Sequence, residues 1–206
     1  MTGRDQNPLG LPDDYQPPAM PASMPTMVFF HSGNPTYHRL RGGLIFEGLR
    51  AFGYKVVLPE EGEGGGITIP AAERLMVLMD LQLGAIDWVE SLRPRWGDVV
   101  LVDVTGPIWK PEQIVEIGAP ARAYWSNPDN QARARRLISL ADGVTTPNPS
   151  YTDWLLGLND QVFVLPDLDD EREESIANFT MKLNLAWHTA REAKFARLRE
   201  ALPATT

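Results

Sequence analysis

Two residues in this sequence could take part in catalysis, and each stands at the end of an apolar run. His31 directly follows the run 27–30, and Asp103 closes the run 99–103. A histidine can act as a general base near neutral pH, whereas a carboxylate can hold a substrate hydroxyl or a metal ion. Both have ordinary alternatives, because a loop histidine can simply be hydrogen-bonded and an aspartate can cap the following turn. We therefore treat His31 and Asp103 as candidate catalytic residues.

The loop after the first apolar run carries most of the residues that could bind a substrate. Arg39 and Arg41 stand beside a glycine pair, Gly42 and Gly43, at the predicted start of a helix. Backbone N–H groups at a helix start favour an anion, and two guanidinium groups would reinforce them. Two solvated arginines would give the same pattern. The candidate substrate-binding residues are Ser32, Gly33, Arg39, Arg41, Gly42, Gly43 and Thr105.

Other kinds of site find little support in the sequence. The histidines and acids show no metal-ligand spacing, so no metal site is predicted. The chain has no cysteine and no Gly-x-Ser-x-Gly, which removes thiolate chemistry and the serine nucleophile elbow. Trp109, Trp125 and Trp154 follow predicted strands or begin predicted helices. Aromatic rings there could stack on a ligand, although packing in the core is their commoner use.

The apolar runs before the candidate catalytic residues predict a parallel α/β sheet. Strand 27–30, a polar loop, a helical run at 44–52 and strand 55–58 form the unit that opens such sheets. The run 99–103 has apolar residues on both faces before it ends at Asp103, so it should be a central strand. Ligands of these sheets collect outside the carboxyl ends of the strands. Both candidate catalytic residues would lie at that edge.

The remaining pattern completes a single Rossmann-like, three-layer domain with a parallel sheet of about five or six strands. Helices are predicted at 70–79, 86–92, 111–116, 132–140 and 148–156, and strands at 121–125, 144–146 and 161–165. The last predicted element is a long helix at about 169–202, in which apolar residues recur at spacings of three and four. These residues are Ile176, Phe179, Leu183, Trp187 and Ala190. The long helix should pack back across the sheet.

Residues 1–26 differ in composition from the rest of the chain. They carry six prolines and almost no aliphatic run, which predicts an extended arm rather than a helix or strand. Such an arm could be a disordered tail, or it could lie along a protein partner or another copy of the chain. The predicted organisation is an arm at 1–26, a Rossmann-like domain at 27–168 and a C-terminal helix region at 169–206.

The overall charge and hydropathy exclude several classes of partner. The formal net charge is -8, with 27 acids against 19 bases, so a general nucleic-acid surface is not expected. No apolar run approaches the roughly 20 residues of a membrane span. The N-terminus lacks the charged and apolar regions of a signal peptide. These features predict a protein of the cytoplasm or of a larger assembly, neither secreted nor bound to a membrane.

Several short motifs follow one another in a recognisable order. The glycine pair at 42–43 is followed by Gly-Tyr-Lys-Val at 53–56, Gly-Asp-Val-Val-Leu-Val at 97–102, Ala-Asp-Gly-Val-Thr-Thr at 141–146 and Val-Phe-Val-Leu-Pro-Asp at 162–167. Their order and spacing resemble the N-terminal, acceptor-side domain of glycosyltransferases of the GT-B fold, of the family 4-like type. One departure is a tyrosine in the Gly-Tyr-Lys-Val motif, where that family usually has a histidine.

The resemblance spans about residues 27–169 and implies the acceptor-binding half of a GT-B enzyme. In that family a loop histidine or aspartate activates the acceptor hydroxyl. The donor is a nucleotide-sugar, and no cofactor is bound covalently. The sequence continues into a helix rather than a donor-binding domain, so the resemblance implies that a second chain would supply the donor site.

Two other functions fit the same residues. The chain could be a non-catalytic α/β protein with a structural role, docked into an assembly through residues 1–26. It could also be a nucleotide-binding enzyme of the Rossmann type. We rank this hypothesis last, because the dinucleotide-binding motif Gly-x-Gly-x-x-Gly does not follow the first strand.

Overall fold

The computed structural model describes residues 26–30, 48–50, 53–57, 60–61, 67–68, 74–113, 118–168 and 173–201. Within these ranges the main feature is a six-stranded sheet. Its strands are β1 Thr26–Phe30, β2 Lys55–Val57, β5 Leu75–Met79, β6 Val99–Asp103, β7 Gly143–Thr146 and β8 Val162–Val164. Two further strands, β3 Glu60–Glu61 and β4 Ile67–Thr68, pair with each other in the antiparallel sense.

Helices connect most of the strands of the main sheet, and a long helix follows the last strand. They are α1 Ile86–Leu92, α2 Gly118–Ser126, α3 Pro128–Leu140, α4 Thr152–Leu156 and α5 Glu173–Glu200, and residues 48–50 are also helical. Single 3₁₀ turns lie at Leu83–Ala85, Pro111–Gln113 and Pro149–Tyr151. None of the helices in the described ranges has the length and apolar character that a membrane span needs.

The strand order is β2-β1-β5-β6-β7-β8, and all five pairings are parallel. Strand β6 is therefore central, as the apolar run predicted, and all five of its residues are buried. From β1 the chain moves outward to β2 and then returns to the other side of β1 as β5. The direction of winding thus reverses between β1 and β5, which is where doubly wound sheets bind ligands. The predicted Rossmann-like α/β class is confirmed.

The two faces of the sheet are covered by different helices. One apolar cluster joins β5 and β6 side chains such as Val77 and Val102 to α1, α3 and α4. The other joins side chains such as Met76 and Leu101 to α5 and to the helical residues 48–50. Because successive side chains of a strand point to opposite faces, one apolar run can feed both clusters. The result is a three-layer domain.

One predicted helix, 70–79, is wrong in its described part, because Leu75–Met79 is strand β5. Leucine and methionine are good helix formers, and five consecutive apolar residues have no period that identifies a strand. The tertiary position decides the outcome, since β5 lies between β1 and β6 and is buried on both faces. Residues 70–73 lie outside the described ranges.

The predicted strand 121–125 is also wrong, because these residues belong to helix α2. Arg122 and Tyr124 are exposed, which a strand covered by helices on both faces would not allow. Alanine and arginine also favour a helix. The other predicted elements that fall in the described ranges agree with the structure, apart from shifts at their ends and the helix predicted at 111–116. Of that helix, a 3₁₀ turn at Pro111–Gln113 is described.

The long helix predicted at about 169–202 is confirmed as α5, Glu173–Glu200, and it packs on the sheet as predicted. Its residues Phe179, Leu183, Trp187 and Ala190 are all buried in the second apolar cluster, and Trp187 is only 1% exposed. Close to its start, α5 also approaches the helical residues 48–50. A Cβ atom on Gly48 would lie 2.0 Å from Cγ2 of Ile176, so only glycine allows this approach.

Candidate functional site

The carboxyl edge of the sheet, between β1 and β5, is the place where this topology favours a ligand. The loop that follows β1 lies outside the described residues. That loop contains the predicted catalytic residue His31 and the predicted binding residues Ser32, Gly33, Arg39, Arg41, Gly42 and Gly43. Their roles remain predictions. At this edge, the structure describes the residues that follow β5 and β6.

Two aspartates stand side by side at this edge. Asp80 directly follows β5, and Asp103 is the last residue of β6. The parallel register pairs Met79 with Val102, so the next position along each strand places Asp80 beside Asp103. Both are buried, with 7% and 1% of their surfaces exposed. The structure thus adds a second carboxylate to the one that the sequence predicted.

Hydrogen bonds hold both carboxylates in place. The Thr145 hydroxyl of β7 donates to Asp103 Oδ1 at 2.5 Å, and the register places Thr145 directly opposite Asp103. Gln82 Nε2 donates to Asp80 Oδ1 at 2.6 Å, while the Gln82 backbone N–H donates to the Asp80 carbonyl oxygen at 2.7 Å. Each carboxylate is therefore fixed by a neighbouring side chain. Of the predicted binding residues, the exposed Thr105 lies two positions after Asp103.

The two carboxylates limit which ligands can bind at this edge. An ionised carboxylate accepts hydrogen bonds and donates none, so the pair suits hydroxyl, amine or cation ligands and repels anions. No group of three or more histidine, cysteine, aspartate or glutamate residues in the described part of the chain could hold a metal ion. Two carboxylates at adjacent strand ends are well placed to bind neighbouring hydroxyl groups of one ligand.

Two of the three predicted aromatic candidates, Trp109 and Trp154, contact each other, whereas Trp125 contacts Tyr124. The ring of Trp109 stacks on Trp154 with centroids 4.0 Å apart and planes 16° apart, and Tyr151 meets Trp109 edge-on at 4.9 Å. The Arg135 guanidinium lies 5.3 Å from the Trp154 ring centroid. These rings also pack against the first apolar cluster. Core packing thus accounts for Trp109 and Trp154, as the commoner use of such residues suggested.

A small cavity lies away from the aspartate pair. It has a volume of about 200 Å³ and lies where the chain passes from β8 into α5. Ligand pockets usually measure roughly 300–1,000 Å³, so this cavity is smaller than a typical ligand pocket. Its lining residues are Pro166, Asp167, Leu168, Ser175, Asn178, Phe179 and Lys182. Strand β8 is at the edge of the sheet, three strands from β5, so the cavity is separate from the aspartate pair.

A second polar cluster, at the amino edge of the sheet, has a structural role. Asp98 precedes β6, and its Oδ1 accepts from the Leu75 backbone N–H at 2.9 Å. Asp142 precedes β7, and its Oδ2 accepts from the Val100 backbone N–H at 3.0 Å. Each carboxylate therefore continues the backbone pairing beyond the strand start. This accounts for the aspartates of the Gly-Asp and Ala-Asp motifs.

Helix α5 is attached to this edge by Lys194, which is only 2% exposed. Its ammonium group donates to the carbonyl oxygens of Leu92 at 3.1 Å and Asp98 at 2.7 Å, and to Asp142 Oδ2 at 3.1 Å. Arg197 donates to Asp142 Oδ1 at 3.2 Å. Burial raises the pKa of Asp142 and lowers the pKa of Lys194, and the attraction between the two groups opposes both shifts.

The amino-edge cluster also includes an incomplete contact. Arg95 Nε lies 2.8 Å from Asp98 Oδ2. Its N–H is not aligned with that oxygen, which lacks a hydrogen bond among the described residues. The interaction is thus an ion pair without a good hydrogen bond, and Arg95 is half-exposed. Such a pair adds little to stability compared with the buried lysine.

The chain was compared with known protein families, curated proteins and solved structures, and no match was found in any of the three. The geometry of the carboxyl edge and the motifs in the sequence are therefore the features that bear on its function.

Proposed function

We propose that this chain is a glycosyltransferase-like domain that binds a hydroxyl-bearing acceptor at the carboxyl edge of its sheet, beside the switch point between β1 and β5. The observation that carries the proposal is the pair of buried aspartates, Asp80 and Asp103, at adjacent strand ends next to the switch point. The order of glycosyltransferase-like motifs along the sequence supports the same assignment. A sugar acceptor presents neighbouring hydroxyl groups at the spacing that two adjacent carboxylates can reach.

The electrostatics of the edge favour a neutral acceptor. The two carboxylates would repel a phosphorylated or carboxylated ligand, whereas a hydroxyl group donates a charge-assisted hydrogen bond to either of them. Such bonds are worth about 1.5–3 kcal/mol each when water is excluded. Thr145 and Gln82 hold the carboxylates in fixed positions, so little rotamer entropy is lost on binding.

The proposal gives the remaining predicted residues distinct roles. Asp103 would accept a hydrogen bond from one hydroxyl of the acceptor, and His31 would be the base that takes the proton of the neighbouring, reacting hydroxyl. Arg39 and Arg41, with the glycine pair, would contact the phosphates of a nucleotide-sugar donor presented by a second chain. These five positions, outside the described ranges, come from the sequence alone. Asp80 is the residue that the structure contributes.

A thermal-shift panel tests the proposal. The wild-type chain is melted with methyl glycosides of glucose, galactose and mannose, and separately with nucleotide-sugars, because a ligand of the folded state raises the melting temperature. We expect a methyl glycoside to stabilise the wild-type chain, with the effect lost in Asp80→Asn and Asp103→Asn. The matched control is Asp160→Asn, an exposed aspartate in the turn before β8, which should respond as the wild type does.

The same panel separates the enzyme from the structural alternative. If no sugar or nucleotide-sugar stabilises the chain, the acceptor site is refuted. Deleting residues 1–22 then becomes the decisive variant. A deletion that weakens assembly in light scattering, without changing the melting temperature, would favour a structural protein docked through its arm.

A further inference from the structure

A group of basic side chains lies at the amino edge of the sheet, at the opposite end of the strands from the aspartate pair. Arg74 directly precedes β5. Lys194 of α5 donates to the Asp98 carbonyl oxygen at 2.7 Å, and the Asp98 carboxylate accepts from Leu75 N at 2.9 Å. These contacts bring α5 close to the start of β5. Arg191, one turn before Lys194 on α5, therefore lies near Arg74.

Aromatic rings hold the Arg191 guanidinium in place. Its Cζ lies 4.8 Å from the ring centroid of Phe195 and 5.6 Å from that of Trp187. Its Nε is buried and has no hydrogen-bond partner among the described residues, although the side chain is partly exposed. The ring centroid of Phe195 in turn lies 5.5 Å from that of Trp96, and Trp96 is 41% exposed. The guanidinium is thus oriented by packing rather than by a carboxylate.

One positive group, Arg74, and one negative group, Glu192, act on Arg191. Burial and the positive charge of Arg74 lower the pKa of Arg191, and burial and the charge of Arg191 lower the pKa of His188. The Glu192 carboxylate opposes both shifts. No carboxylate forms an ion pair with Arg74 or Arg191 in the part of the chain that the structure describes. The other arginines of this edge that contact Asp98 and Asp142 are paired.

We propose that Arg74 and Arg191 form a binding site for a phosphate-bearing ligand. The positive charges of Arg74 and Arg191 repel each other, and an oxyanion bound between them would attract both. The planar guanidinium matches the oxygens of a phosphate in a bidentate manner, and cation–π packing leaves it already oriented. His188, one turn before Arg191 on α5, would add a third donor. This site is independent of the proposed acceptor site at the opposite edge.

Titration with inorganic phosphate at constant ionic strength tests this site. The readout is the arginine Nε–H region of the ¹H–¹⁵N spectrum, in which Arg191 should show a saturable shift that an equal ionic strength of chloride does not produce. Arg74→Gln and Arg191→Lys should each weaken phosphate binding about tenfold, which corresponds to one charge-assisted hydrogen bond. Arg191→Lys keeps the charge and much of the packing, so it guards against a variant that fails to fold.

The matched control is Arg122→Gln, which removes an exposed arginine from α2 and changes the net charge by the same amount as Arg74→Gln. It should leave phosphate binding unchanged. The proposal is overturned if phosphate produces no saturable shift of Arg191, or if Arg122→Gln weakens binding as much as Arg74→Gln. Either result would mean that phosphate acts only through the general charge of the protein.

Discussion

Replacing Lys194 with methionine should destabilise the fold strongly, because it breaks the attachment of α5 to the amino edge of the sheet. The change keeps most of the length of the side chain but removes three hydrogen bonds, to Leu92, Asp98 and Asp142. Breaking a buried ion pair costs about 3–5 kcal/mol. Arg197 still neutralises Asp142 in part, so we place the loss near the lower limit, at about 3 kcal/mol.

Urea unfolding followed by circular dichroism measures this loss, and a double-mutant cycle assigns it. Asp142→Asn alone should also destabilise, whereas the double variant Lys194→Met with Asp142→Asn should lose less than the sum of the single changes. Coupling between residues in contact is typically about 0.5–3 kcal/mol. The surface control Lys110→Met should stay within about 0.5 kcal/mol of the wild type. Strict additivity of the two single changes would refute the reasoning.

Three further predictions concern α5 and its contacts. Trp187→Ala should lower the free energy of unfolding by about 3–5 kcal/mol, because a fully buried indole is removed, and an unchanged melting temperature would show that α5 does not pack on the sheet. Gly48→Ala should destabilise by about 1–3 kcal/mol through overpacking against Ile176, and Ile176→Ala should relieve much of that cost if the contact is real. Burial and the charge of Arg191 hold the pKa of His188 below 6.5. The imidazole therefore binds a proton less tightly in the folded state than in the unfolded state, and the free energy of unfolding falls as the pH drops through 6.5. His188→Gln should therefore lose less stability than the wild type between about pH 7.5 and about pH 5 in paired melts, and equal losses would contradict the assignment.

The central features of the fold could be predicted from sequence because their signals are local. Strand β6 is an apolar run buried on both faces, and α5 repeats its apolar residues at helical spacing. Strand β5 could not be recognised, since Leu75–Met79 contains no polar residue that would mark a period. That error had a consequence for the site. Asp80 follows β5, so a helix assigned at 70–79 removed the signal that would have placed a second carboxylate beside Asp103.

The contacts of Lys194 could not have been predicted by any local pattern. Its partners Leu92, Asp98 and Asp142 lie 102, 96 and 52 positions away in the sequence. A lysine near the end of a long helix is usually a solvated residue that complements the helix dipole. Only the crossing of α5 over the starts of β6 and β7 buries this one. The sequence motifs Gly-Asp and Ala-Asp identify where strands begin, but not which residue on a distant helix they bind.

The most direct test of the central claim is an NMR titration of the wild-type chain with the methyl glycoside that stabilises it best. Binding at the proposed acceptor site should shift the backbone amides of Asp80, Gln82 and Thr105, and Asp80→Asn should abolish those shifts while Asp160→Asn preserves them. Shifts confined to Lys182 and its neighbours at the small cavity, or no shifts at all, would contradict an acceptor site built on Asp80 and Asp103.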